Sequence, residues 1–310
     1  MTGHFRAESG TSRPSRGHNF LRHASYPLAG AVAEWQARQS DSAIVRGLSS
    51  NLAVLYGLAE GSAELERQVT KNLQNLLKCY ADLLQLALGE PETIDAACTL
   101  APEALKILDG HQAAGRGVLF VSPHMCSLDV LLLALSKRYR DMQVLSKASP
   151  GLNTRVINHL RSRYGLRMTP ISPVSLREAL RRLRSGGLVG IAADLPAPDS
   201  TPLFFLGRPC YLPLGFARLA LASGASIVVG TSRRVGAGQF EGLGKELPPP
   251  SSTGQLREDA IRWAQAVIEV VEGYILDRPS EWFMPLPLWP TQELDPVISQ
   301  RLMLTSEGIW

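Results

Sequence analysis

Helix-period stripes dominate the first third of the chain, and a strand–helix alternation takes over afterwards. In "LERQVTKNLQNLLKCYADLLQLALG" the apolar residues Leu65, Val69, Leu73, Leu76, Leu77, Tyr80, Leu83, Leu84 and Ala87 recur at i, i+3, i+4 and i+7, the stripe of an amphipathic helix. Gly89 and Pro91 close it, since neither residue continues a helix. Earlier, "AIVRGLSSNLAVLYGLA" reads as a more apolar helix broken near Gly57. This helical pattern runs from about Ser25 to Ala101. Two such helices cannot enclose a core of their own. They are expected to pack on the domain that follows or to rest on a membrane.

From Gly115 the rhythm changes. The short apolar runs "GVLFVS", "MQVLSK", "LRMTPI", "GLVGIAAD" and "SIVVGTSRR" alternate with the helical patterns "CSLDVLLLALSKR", "LNTRVINHLRSRYG", "VSLREALRRLRSG" and "GFARLALASG". That spacing predicts an α/β fold: a central, largely parallel sheet flanked by helices, with an N-terminal helical region. "DLPAPDSTPLFFLGRPCYLP" is too proline-rich for a helix. A long helix is expected from about Gln255 to Asp277, and "EWFMPLPLWP" ends the ordered part, its aromatics either covering the core or anchoring at an interface. The expected order is a disordered leader over 1–23, a helical region over 24–110 packing on the next domain, an α/β domain over 111–292 and a loose tail over 293–310.

Composition narrows the function classes. With 310 residues, 45% of them hydrophobic, the chain can bury a large core. The four cysteines, Cys79, Cys98, Cys126 and Cys210, are far apart and form no CxxC pair, so they read as reduced thiols of a cytosolic protein. Six scattered histidines form no HxxxH or HExxH, so no metal is expected. No run reaches the roughly 18 to 20 apolar residues that span a bilayer, and the polar N-terminus lacks the apolar core of a secretory signal. The net charge of +4 is unevenly spread: residues 147–184 hold nine basic residues against the single acidic Glu178. That block points to an anionic partner, such as phosphate groups, a membrane surface or an acidic carrier protein, or else to solvated helices. Arg177, Arg181 and Arg184 recur beside Leu176, Leu180 and Leu183, a pattern that suits either anionic lipid or a solvated face above a core face. Helix-turn-helix and RNA-binding signatures are missing, so no nucleic-acid partner is expected.

The candidate chemistry lies in "VSPHMCSLDVLL" at 121–132. His124 follows an apolar run, at the carboxyl end of a predicted strand, where parallel α/β sheets gather their chemistry. Asp129 falls in the first turns of the next helix. Residues five apart on one helix diverge by about 140°, so the two meet only if His124 sits in the turn before the helix and folds back over its first turn. An imidazole held by a carboxylate keeps one tautomer and can take a proton from a hydroxyl or amine. The plainer alternative is a strand end and a helix start that happen to be polar, because the macrodipole favours Asp in a first turn anyway. No GxSxG elbow is present, and Cys126 is expected to point into the helix–sheet interface. A base without an enzyme nucleophile suits direct transfer, in which the bound acceptor attacks an activated donor.

The surrounding blocks add to this reading. "GVLFVSPHMCSLDVLLLAL" resembles the H-x4-D/E block of the lysophospholipid-acyltransferase-like superfamily. "LRSRYGLRMTPI", "SLREALRRLRSGGLVGIAAD" and "PLFFLGRPCYLPLGFARLALASGASIVVGTSRR" follow in the order of the lipid A biosynthesis (lauroyl/myristoyl) acyltransferase family, and "VRGLSSNL" fits its N-terminal region. The resemblance covers about residues 44–290. It implies transfer of a fatty acyl group from a thioester, on acyl carrier protein or coenzyme A, to a hydroxyl of a lipid or glycolipid acceptor. His124 would be the general base and Asp129 the residue that orients it. Asp194 matches a family position near the site, or simply caps a loop. Lys147 and Arg155 stand where the family carries basic residues that hold a phosphate or stabilise an oxyanion. No cofactor is implied beyond the acyl donor, and the expected location is the cytoplasmic side, peripheral on the inner face of the cell membrane. The lipid A enzymes usually carry Glu at the Asp129 position; Asp is typical of the glycerolipid branch, whose P-E-G block is missing here, and of mycobacterial mannoside acyltransferases in the same superfamily. Two alternatives keep the fold: a thioesterase, in which water replaces the alcohol, and a non-catalytic lipid- or carrier-binding module.

Overall fold

The computed structural model describes residues 16–89, 93–139, 141–146, 161–162, 164–197 and 200–289. Seven strands form one sheet in the order β1-β9-β8-β2-β5-β3-β4. They are β1 (Cys98–Leu100), β2 (Val118–Ser122), β3 (Gln143–Ser146), β4 (Arg167–Pro170), β5 (Leu188–Ala192), β8 (Ser226–Gly236) and β9 (Gln239–Leu247). Every neighbouring pair is parallel except β8–β9. The expected α/β class and largely parallel sheet are therefore what the chain adopts.

The helices are α1 (Arg16–Ala37), α2 (Ala43–Tyr56), α3 (Ala63–Leu88), α4 (Thr93–Ala97), α5 (Pro102–Ala113), α6 (Leu128–Arg138), α7 (Pro173–Arg184), α8 (Gly215–Ser223) and α9 (Leu256–Asp277). β2, in the middle of the sheet, shows how they cover both faces. Leu119 and Val121 enter one apolar cluster with Ala179 of α7, Ala217 of α8 and Trp263 and Val267 of α9. Val118 and Phe120 enter the other, with Leu131 and Leu135 of α6, Leu108 of α5 and Leu83 of α3. Alternate residues of a strand face opposite sides, and a strand covered on both sides reads as the uninterrupted apolar run seen here.

A third cluster joins Ala33 of α1, Leu48 and Leu52 of α2 and Leu65, Val69 and Leu73 of α3 to Phe283. The N-terminal helices thus pack on the C-terminal segment after α9. Trp282, Phe283, Met284, Leu286, Leu288 and Trp289 of that segment are buried, so its aromatics cover the core. Gly57 ends α2 with a left-handed φ of 64°, at the break expected from its sequence.

Three stretches are resolved more finely than in the sequence reading. α1 begins at Arg16, inside the span assigned to a leader. Strand β1 pairs with β9 and α5 packs against the sheet domain, so the α/β unit takes in residues from 98 onward, within the region read as purely helical. A three-residue strand is too short to break a helical pattern. The proline-rich stretch is a separate antiparallel hairpin, β6 (Ser200–Phe205) with β7 (Arg208–Pro213). Its two-residue turn has Leu206 at φ 50° and Gly207 at φ 71°, the positive-φ pair of a tight hairpin. The tail expected over 293–310 lies outside the described residues.

Candidate active site

His124 and Asp194 stand at equivalent places on neighbouring strands. β2 and β5 are parallel and paired Ser122 to Ala192, and the ladder extends one step, with the Ala193 N–H donating to the Ser122 carbonyl at 3.1 Å. Two residues beyond each strand's last residue come His124 and Asp194. They meet because their strands share a register and end together.

The Asp194 carboxylate is fully buried and receives three donors. His124 Nδ1 lies 2.6 Å from Oδ1, the His124 backbone N–H donates to Oδ2 at 2.8 Å, and the Trp282 indole N–H donates to Oδ2 at 2.9 Å. A carboxylate only accepts, so the imidazole carries its proton on Nδ1. Nε2 is then the nitrogen with a lone pair to offer. The His124 side chain is 20% exposed, so a buried anion stands behind a partly accessible ring.

Electrostatics follow from this geometry. Burial by itself would lower the proton affinity of His124. The charge and hydrogen bond of Asp194, with a further contribution from the Asp129 charge, outweigh it and raise the histidine above its ordinary value of 6.5. Burial would push the Asp194 carboxyl up, but the His124 charge, the His124 ring and backbone hydrogen bonds and the Trp282 indole hold it below its ordinary value. Each partner stabilises the charged form of the other.

Asp129 stands where the sequence put it but has a different partner from the expected imidazole. It lies in the first turn of α6, and its Oδ1 accepts from Arg161 Nε at 2.9 Å and a terminal Arg161 nitrogen at 2.6 Å. The carboxylate bonded to the imidazole Nδ1 is that of Asp194, while Asp129 acts on His124 through space. Arg161 belongs to the basic block, where nothing in the sequence sets it apart from its neighbours. Lys147 and Arg155 lie outside the described residues. Among the described residues, no three His, Cys, Asp or Glu side chains gather as metal ligands.

The loop that carries His124 is clamped from the C-terminal side. The Cys126 N–H donates to the Glu281 carbonyl at 2.7 Å and the Phe283 N–H donates to the His124 carbonyl at 2.9 Å. This puts Trp282 between them, with its indole on Asp194. The Cys126 thiol packs against apolar clusters on the sheet and the N-terminal helices. Burial, with Cys79 and Glu281 nearby, pushes it well above its ordinary value, so at neutral pH it stays protonated and is a poor nucleophile.

A family model described as bacterial lipid A biosynthesis acyltransferase matches residues 17–291. No curated protein matches the chain.

Proposed function

The chain belongs to the bacterial lipid A biosynthesis acyltransferase family and is an acyltransferase; from that premise we propose that it moves a fatty acyl group from a thioester to a hydroxyl of a lipid or glycolipid, with His124 as general base and Asp194 as the residue that orients it. The observation that carries this reading is the buried carboxylate on Nδ1, which leaves Nε2 as the basic nitrogen of a partly exposed ring.

In this reaction the acceptor hydroxyl gives its proton to Nε2 while its oxygen attacks the thioester carbonyl. The tetrahedral intermediate collapses, the C–S bond breaks, and the thiolate leaves with the proton from the imidazolium. Asp194 stabilises the imidazolium that forms in between. The thioester is already activated, so the transfer calls for no cofactor besides the donor, acyl carrier protein or acyl-CoA. The protonated, inward-packed Cys126 supports direct transfer without an acyl-enzyme. Asp129, tied to Arg161, shapes the charge beside the base. Lys147 and Arg155 are the proposed holders of a phosphate or of the oxyanion.

We also propose peripheral contact with the inner, cytoplasmic face of the cell membrane. Among the described residues no helix is long and apolar enough to cross a bilayer. Leu28, Val32 and Trp35 form an exposed stripe on α1, and Arg177, Arg181 and Arg184 lie on the exposed side of α7, whose Ser175, Ala179 and Leu183 are buried. Co-sedimentation with anionic vesicles, weakened by salt, is the expected result; equal sedimentation with neutral vesicles at high salt would count against the basic face.

The decisive experiment incubates the purified protein with radiolabelled acyl thioesters and a bacterial lipid extract, and resolves the products by thin-layer chromatography. Wild type is expected to make a labelled lipid, and His124→Ala to lose about 10²- to 10⁴-fold in rate with donor binding retained. Free fatty acid as the sole product would identify a thioesterase. Bound thioester without turnover would identify a binding module.

A further inference from the structure

The segment after α9 touches the site on one side and the N-terminal helices on the other. A single 3-10 turn (Pro279–Glu281) starts it, and Trp282 follows with its side chain 0% exposed. The Trp282 ring meets Phe205 edge-on at 5.9 Å, and Phe205 stacks on Trp289 at 5.7 Å. Both of its flanking residues hydrogen-bond the His124 loop. From α3, Asn72 Nδ2 donates to the Trp282 carbonyl at 2.7 Å and the Ser280 carbonyl at 3.2 Å. From α2, Asn51 Nδ2 donates to the carbonyls of Met284 and Leu286 at 2.7 Å, and its Oδ1 accepts from the Leu288 N–H at 2.9 Å. One turn earlier, Gly47 lets α2 come so close that an added Cβ would fall 1.7 Å from the Pro285 carbonyl oxygen.

We propose that Trp282 is a positioning residue for the transfer, held by Asn72 and Asn51, and that its indole N–H fixes the Asp194 carboxylate so that Oδ1 serves the imidazole alone. This rests on the reading of His124 as the base. The division of labour is visible in the hydrogen bonds. Oδ2 takes two fixed donors, the His124 backbone N–H and the indole, whereas Oδ1 takes the ring. With both donors on Oδ2 the carboxylate cannot swing about its terminal bond, and the ring it holds cannot swing either. On this view α2 and α3 belong to the catalytic unit, because they hold the backbone on both sides of Trp282. An indole N–H on Oδ2 also withdraws part of the carboxylate charge. Without it Oδ1 is a stronger acceptor, and the pair keeps its shared proton to higher pH.

Among the described residues, the charged and titratable groups around the pair are these. Asp129 with Arg161 lies on the α6 side, and Tyr80 of α3 lies near Asp129. Cys210 of β7 lies near Asp194. Cys126 and Glu281 flank the backbone clamp. None of them is changed by the substitutions that follow.

The test uses Trp282→Phe, and alongside it the chain with 3-benzothienylalanine at position 282, a sulfur isostere that keeps the ring shape and lacks only the N–H. Carbon-13 NMR of the His124 ring follows its titration without any substrate, and steady-state kinetics follow the transfer. Both variants are expected to move the His124 titration and the acid limb of kcat/KM upward by about half a unit to one unit, with kcat down about tenfold and KM within about twofold. A lower Tm with unchanged titration and unchanged kcat per folded molecule would make Trp282 a packing residue and overturn the proposal. The NMR titration separates this from failure of the functional reading. If His124→Ala keeps full activity the base assignment falls, while the ring titration still reports whether the indole acts on Asp194.

Discussion

Asp194 and Asp82 both have almost no exposure and both sit in three-way hydrogen-bond clusters, yet their partners give them opposite uses. Asp82, on α3 and 1% exposed, accepts from Arg234 at 2.7 Å and from the Tyr26 hydroxyl at 2.8 Å. Arg234 also donates to Tyr26, and its guanidinium lies over the Phe240 ring at 4.7 Å. The cluster ties α1, α3 and β8 together. A guanidinium keeps its charge at any ordinary pH, so the cluster has one state and serves structure. Asp194 is paired instead with an imidazole, whose charge changes near neutral pH, at the mouth of two parallel strands. A buried carboxylate therefore does not mark a reactive site by itself; a partner that can exchange a proton does.

Substitutions at the two positions should separate these uses. Asp82→Asn leaves the Arg234 charge buried without its counter-charge, and is expected to lower stability by about 3 kcal/mol or more. Urea unfolding reads that loss, and the His124 ring titration should not move. A titration that shifts with Asp82 would erase the distinction. Asp194→Asn is expected to lower kcat about 10²-fold, because the imidazolium loses its anion and two fixed N–H donors meet an amide. Asp129→Asn, which acts through space, should cost only about tenfold. The reverse order would return the orienting role to Asp129.

The smallest effect is on pH. His124 is raised above 6.5, so the neutral base builds up only above that value and kcat/KM should climb through a limb above 6.5. In Asp194→Asn the limb should move down. The linkage has a definite sign for each partner. The raised histidine contributes stability that is fully present below about 6.5 and is lost as pH rises through its folded value. Asp194, held below its ordinary 3.8, contributes stability above that value and loses it as pH falls through the folded one. Between those limits the pair is fully charged and most stabilising, although the base is then blocked by its own proton.

The parts of the site that were legible had a local signature. His124 after an apolar run and Asp194 at the end of "GLVGIAAD" both read as strand-end polar residues. Their pairing did not, because 70 residues separate them and nothing local says which strands lie side by side. Asp129 was the nearer carboxylate in sequence, but helix geometry turns it toward Arg161. Asn72 offered a signal: it lies three residues after Val69 and four before Leu76 on the buried face of an amphipathic helix, where a polar side chain must find partners. Trp282 gave none, since a tryptophan in a proline-rich stretch is as readily core as site.

By itself the sequence determined the α/β class, the alternation of strands and helices, the continuous apolar run of β2 and the strand-end positions of His124 and Asp194, because all of these rest on local periodicity. Only the tertiary structure decided that β2 and β5 are neighbours in register, that Asp194 takes the imidazole while Asp129 takes Arg161, and that the C-terminal segment closes over the pair. Those choices depend on contacts between residues far apart in the chain, and burial leaves each polar group to find the partner that the packed elements bring to it.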